Sequence, residues 1–184
     1  MMRSNVYSSS QKALHWLMFV LVLGLYGLTF GDSLFQRGDP SRAFAWWLHI
    51  SFGLLLAAFV VWRVVLRLIN GVPELPASMT GIERTLAKTG HFALYGLLIV
   101  IPVLGILLTW FRGDALSFFG LFAVPAPFRP DRSTAGLIKE LHDLGANGIL
   151  ILAGLHALAA LWHHFVRKDD VLMRMLPARS TITR

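Results

Sequence analysis

The chain has 184 residues, 55% of them hydrophobic, with a formal net charge of +7 and a mean hydropathy of +0.62. So apolar a composition excludes an ordinary soluble domain and fits a small polytopic membrane protein. The chain has no cysteine, which removes disulfides, iron–sulfur clusters, thiolate zinc sites and covalent C-x-x-C-H haem attachment.

Four apolar segments predict helices over about 13–30, 44–69, 82–111 and 134–166, each able to cover the roughly 20 residues that span hydrocarbon. The first follows the polar run Ser8-Ser9-Ser10-Gln11-Lys12. It lacks the small-residue cleavage site of a signal peptide and carries His15 and Trp16, so it reads as a retained helix. A short loop with Gly31, Gly38 and Pro40 leads to the second segment, which carries His49 near its start and ends at Asn70-Gly71-Val72-Pro73. The third contains Pro102, which neighbouring helices in a membrane can accommodate. Between the third and fourth lies an apolar, aromatic stretch, Leu116 to Phe122, followed by Pro125, Pro127 and Pro130. It is expected to lie flat at the membrane surface or to cap the helix ends. The fourth segment is longer than a bilayer is thick, so it must tilt or protrude. No repeat is visible, and the pattern predicts one all-α bundle of four membrane helices with a short polar tail.

Alternating the loops puts Arg3, Lys12, Arg63, Arg67, Arg84, Lys88, Arg167, Lys168, Arg174, Arg179 and Arg184 on the side of the termini. Arg37, Arg42, Arg112, Arg129, Arg132 and Lys139 fall on the other side. The positive-inside bias then predicts a membrane protein with both termini cytoplasmic. The positive charge is spread over helix ends and not gathered on a soluble module, which argues against nucleic-acid binding.

Ionisable side chains inside a bilayer are costly and mark functional sites. His142 and His156 are 14 residues apart on the fourth segment, which on a helix puts both rings on one face, roughly 21 Å apart along the axis. His49 on the second segment matches the depth of His142, near the outer end. His15 on the first matches His156, toward the inner end. Two rings from two helices at one depth are what a noncovalent, b-type haem requires as axial ligands, so the pattern predicts two haems. His91 on the third segment shares the inner depth, and depth alone admits any two of His15, His91 and His156. The same residues also suit a metal-ion or proton relay, or hydrogen bonds between membrane helices. His163 and His164 read as snorkelling interfacial histidines or, more sharply, His163 reads as a proton-exchanging group near an inner quinone or propionate site. Gly24, Gly27, Gly53 and Gly145 suit either a flat macrocycle or close helix packing. Arg63 follows His49 by 14 residues, so it shares that face at the inner depth, where a guanidinium can pair with a haem propionate.

The runs Ala13-Leu14-His15-Trp16, Leu48-His49-Ile50, Gly90-His91-Phe92 and Trp110-Phe111-Arg112-Gly113 resemble the bacterial cytochrome b-561 family. So do Leu155-His156-Ala157 with His163-His164, and the ending Leu172-Met173-Arg174-Met175-Leu176-Pro177. The resemblance covers almost the whole chain in order. It implies His15 with His156 at the inner haem, His49 with His142 at the outer haem, and a neighbouring or quinone-side role for His91. It further implies kinship with small stand-alone members that oxidise superoxide to dioxygen and pass electrons through two haems to ubiquinone. On that reading Arg112, Arg129, Arg132 and Lys139 would draw in the anion, diluted by Asp114, Asp131, Glu140 and Asp143. His91, His163 and Lys88 are the candidates for supplying protons to the quinone.

Two other functions compete. One is a haem-b electron-transfer subunit that links another dehydrogenase or donor to the quinone pool, with a redox partner subunit or a second copy beside it. The other is a haem-free helical membrane protein such as an ion carrier.

Overall fold

The computed structural model describes residues 6–30, 34–36 and 38–177. Arg3, Gly31, Arg37, Arg179 and Arg184 of the charge and loop arguments lie outside the described residues. The four expected helices form as α1 (Ser9–Thr29), α2 (Pro40–Asn70), α3 (Gly81–Phe111) and α4 (Arg132–Trp162). Each starts before its apolar run because a polar cap sets the start. Ser8 with Gln11 and Thr80 with Glu83 form capping boxes, and the Asp39 and Asp131 carboxylates accept from the first turns of α2 and α4. Hydrogen bonds from Thr134 and Ser133 hold the exposed Asp131 carboxyl below its ordinary range. Gly71 ends α2 in the left-handed region, at φ +69.

α4 differs from the expected unbroken helix to 166. After Trp162 it widens into a π turn, His163–Arg167, which Lys168 stops at φ +53. The C-terminal segment then folds back on α1. Met175 and Leu176 offer their carbonyls to Trp16 Nε1 at 2.9 Å and Lys12 Nζ at 3.0 Å.

The aromatic stretch between α3 and α4 is a β-hairpin that caps the bundle, not a segment lying flat. β1 (Leu116–Phe118) pairs antiparallel with β2 (Phe122–Val124), Leu116 opposite Val124. Its turn needs positive φ at two successive residues, Phe119 (+49) and Gly120 (+72). That conformation suits Gly120 and strains Phe119. Ser51, the most deeply buried side chain on α2, holds it there. Its hydroxyl donates to Ser117 O at 3.2 Å and accepts the Phe119 N–H at 3.0 Å. The Phe119 ring packs edge-on against Phe52 and Trp47. At the base of this loop Gly113 sits at φ +88, and a Cβ there would lie 2.8 Å from Pro130.

All four helices are long and apolar enough to cross a membrane, and few residues of any span are buried within the protein. Phe92 and Leu68 are 81% and 79% exposed; an apolar surface of that extent is a lipid-facing one. The fold is an all-α membrane four-helix bundle with one small hairpin. α1 packs on α2 through Leu14, Met18, Leu56 and Val60, and α3 packs closely on α4. α2 meets α3 more lightly, and among the described residues α4 makes little close backbone approach to α1 or α2. Side chains bridge the two tight helix pairs, among them facing histidines, the Tyr26–Asn147 hydrogen bond and the Arg63 and Arg67 contacts with Tyr95.

Candidate functional site

At the hairpin end, His49 on α2 faces His142 on α4, with ring centroids 6.3 Å apart. His49 Nδ1 lies 3.1 Å from Leu25 O and His142 Nδ1 lies 3.0 Å from Ile101 O. A carbonyl only accepts, so each Nδ1 carries the proton and each Nε2 keeps a free lone pair. Both rings thus have their tautomer and orientation set from behind, as metal-ligating histidines commonly do. Gly105 makes room for this arrangement, because a Cβ there would lie 3.2 Å from His142 Cε1. Sequence reading missed Gly105 and Ser51, since only a tertiary neighbour distinguishes them from other small helical residues.

At the other end, toward the start of α1 and the end of α4, His15 on α1 faces His156 on α4, again with centroids 6.3 Å apart. His91 on α3 approaches His156 from a second side, at 5.3 Å and an interplanar angle of 67°. Metal–imidazole bonds of about 2.0–2.1 Å on either side of one iron set a ring-centroid separation of about 6.3 Å. The pairs His49–His142 and His15–His156 both fit that span, and His91–His156 is about 1 Å too short for it.

The donor sets fit a haem in other ways. Arg63 and Arg67 flank the Tyr95 ring, at 5.8 and 5.4 Å from its centroid. Among the described residues neither guanidinium has a carboxylate partner, although Arg63 donates to Gln11 O at 3.3 Å. Both belong to a crevice with Tyr7, Gln11, Val72 and Tyr95. Burial pushes the Tyr7 phenol up, and Arg67 and Arg63 pull it down. Two partly sheltered cations without an anion suit a propionate, and Arg63 is close enough to act electrostatically on both His15 and His156. A Cβ on Gly24, Gly27 or Gly53 would meet no atom within 4 Å. One on Gly145 would meet Ile101 at 3.0 Å, so Gly145 serves α3–α4 packing.

The remaining expected residues separate. Arg112, at the C-terminus of α3, and Lys139 both act electrostatically on His142. Lys139, however, is ion-paired with Asp143, which takes up part of its charge. Lys88 is exposed and joins no ring. The snorkelling reading of His163 is corrected. The residue is buried, and Nδ1 bonds Asp169 Oδ2 at 2.5 Å, an acid that the π turn and the left-handed Lys168 bring back beneath it.

A family model described as prokaryotic cytochrome b561 matches residues 6–178. Cytochrome b561 homolog 2 of Escherichia coli is 35% identical over 175 residues, which cover 95% of this chain and 93% of that one. A probable superoxide oxidase of Yersinia pestis, CybB, is 33% identical over 176 residues, covering 94% and 97%. Cytochrome b562 of Cereibacter sphaeroides is 30% identical over 179 residues, covering 94% and 96%. With the four apolar spans, these similarities make the protein a multi-pass bacterial membrane cytochrome that uses b-type haem in electron transfer. The chain belongs to the prokaryotic cytochrome b561 family.

Proposed function

We propose that the protein holds two b-type haems, one between His49 and His142 and one between His15 and His156, and oxidises superoxide at the expense of ubiquinone. The observation that carries the reading is the repeated 6.3 Å spacing of two facing histidine pairs at opposite ends of α4. When bound, the haems supply reversible one-electron chemistry. The chain's part is to fix their axial positions, shelter them and set the local charge.

The balance is two superoxide anions and one ubiquinone, with two protons, giving two dioxygen molecules and one ubiquinol. The hairpin end is the outer face and the termini are cytoplasmic, supported by the excess of Lys and Arg on the terminal side. Superoxide is an anion, so Arg112, Arg129 and Arg132 at the outer rim attract it toward the His49–His142 pair, with Lys139 weakened by Asp143. His49 and His142 would both hold the haem, which would supply one-electron chemistry, so the chain would need no base or nucleophile for the superoxide step. Arg63, with Arg67 beside it, binds propionate at the inner pair. Ubiquinone accepts electrons at the inner end, and the hydrogen-bonded His163 and Asp169 on the same side are the candidates for supplying its protons. The similarity to a probable superoxide oxidase supports superoxide as the donor.

The test is a superoxide pulse delivered to the purified, oxidised protein with no partner present. Rapid reduction of the haem absorption band, reversed by ubiquinone, is expected. A band that stays oxidised, yet reduces with another donor, would make the protein an electron-transfer subunit instead.

A further inference from the structure

We infer that residues 168–177 seal the inner end of the bundle, latched to α1 by Trp16 and Lys12, and so keep water-soluble oxidants from drawing electrons there. The inference rests on the His15–His156 pairing and the membrane-dissolved quinone acceptor proposed above.

α1 and α4 carry the two rings of the inner pair, yet among the described residues their backbones hardly approach each other. Past the π turn the chain leaves α4 at Lys168 and crosses to α1. It arrives beside His15. Trp16, the next residue, donates through Nε1 to Met175 O at 2.9 Å. Lys12, one turn earlier, donates to Leu176 O at 3.0 Å. The segment therefore joins the same two helices as the inner pair, on the side of that pair away from the hairpin. The Trp16 ring also packs edge-on against His15, with centroids 5.4 Å apart, so the latch touches a proposed ligand.

Chain segments of this kind stay loose unless tied down, and this one is tied at its start, middle and far end. At its start Asp169 bonds His163 and accepts the Val171 N–H at 3.2 Å. In the middle Arg174 pairs with Asp170 at 2.9 Å and donates to Glu74 O in the loop between α2 and α3. Leu172, Arg174, Met175 and Leu176 are half-buried. Attachments thus run to α1, to the end of α4 and to the α2–α3 loop. At the opposite end the hairpin fixed by Ser51 covers the outer pair, so each end has its own cover, built from a different part of the chain.

The two kinds of oxidant arrive by different routes. A charged, water-soluble oxidant comes from the cytoplasmic face, where the segment stands. A quinone partitions into the bilayer and comes from the lipid side, so it does not have to pass the segment. The seal therefore acts on the choice of acceptor and takes no part in the electron step itself.

The experiment follows oxidation of the pre-reduced haems by ferricyanide, which does not cross bilayers, in membrane vesicles prepared inside out or right side out. Each ferricyanide takes one electron and no proton. The variants are Lys12→Ala/Trp16→Phe/Arg174→Ala, which removes three latches, and a chain shortened to end at Asp170. In inside-out vesicles the triple variant should be oxidised about tenfold faster than the unaltered protein, because each hydrogen bond lost raises the open population several-fold. Ferricyanide is an anion and the variant has lost two cations, so charge alone would slow it, and a rise reports opening. Right-side-out vesicles, and oxidation by a ubiquinone analogue, should keep their original rates. The shortened chain should match or exceed the triple variant. An unchanged ferricyanide rate in the triple variant would overturn the seal, whatever the shortened chain does. An equal rise in both vesicle types, or with the ubiquinone analogue, would overturn it too, since that is general loosening. The haem content of His15→Ala reports on the pairing separately: two haems retained there would sink the pairing itself.

Discussion

At the hairpin end of the bundle the two histidines are tied to main-chain carbonyls and covered by a hairpin that Ser51 pins in place. At the terminal end two histidines stand at the same 6.3 Å separation, but their neighbours are side chains: a third imidazole, two guanidiniums and a tyrosine. Backbone carbonyls hold a ring in place but offer little adjustment. Side chains can tune charge, proton affinity and hydrogen bonding, and they can be altered without breaking a helix. An end that only passes single electrons needs the first kind of support. Under the proposed function, the terminal end couples electrons to protons at a quinone and benefits from the second.

Removing a ligand tests this contrast most severely. His49→Ala should leave one haem per chain and His15→Ala should leave the other, counted by pyridine haemochrome and told apart by their EPR signals. If either variant lost both haems, the ends would not be separate sites. A smaller effect is expected from Ser51→Ala. It strands the Phe119 N–H and releases a residue held at positive φ, so stability should fall by about 1–3 kcal/mol. A lower Tm in detergent should be accompanied by a changed spectrum of the hairpin-end haem only. A changed terminal-end haem would mean the two ends are not insulated.

The smallest effect concerns charge. The rate of superoxide oxidation should decline as ionic strength rises from about 0.01 to 0.15 M, because the screening length shrinks from about 30 to 8 Å. Quinone reduction at the other end should respond far less. A superoxide rate indifferent to salt would remove the steering role of Arg112, Arg129 and Arg132.

Much of this was legible beforehand because membranes impose simple rules. Apolar length marked the four spans, and the 14-residue spacing of His142 and His156 placed two rings on one face of one helix. The depth match of His49 and His15 followed from where each sits in its span. His91 was not resolved by depth. Helix number and depth place it beside His15 and His156, and only ring distances separate a ligand from a neighbour. The burial of His163 was not legible, because its partner Asp169 lies beyond the helix, reached through a π turn that no local pattern announced. The hairpin was missed as a hairpin because Phe119 is a poor residue for its turn; a serine 68 residues earlier compensates.

The sequence by itself determined that the chain crosses a membrane four times, that it places histidines at two depths, and that any haem is held without covalent attachment. These follow from composition, periodicity and the lack of cysteine, which are properties of single segments. The tertiary structure alone decided which rings face each other at an iron's span, which carbonyls set their tautomers, and that Ser51 closes one end. These depend on distances between segments, and a bundle's helix rotations and register are set by packing between helices, not by any one helix.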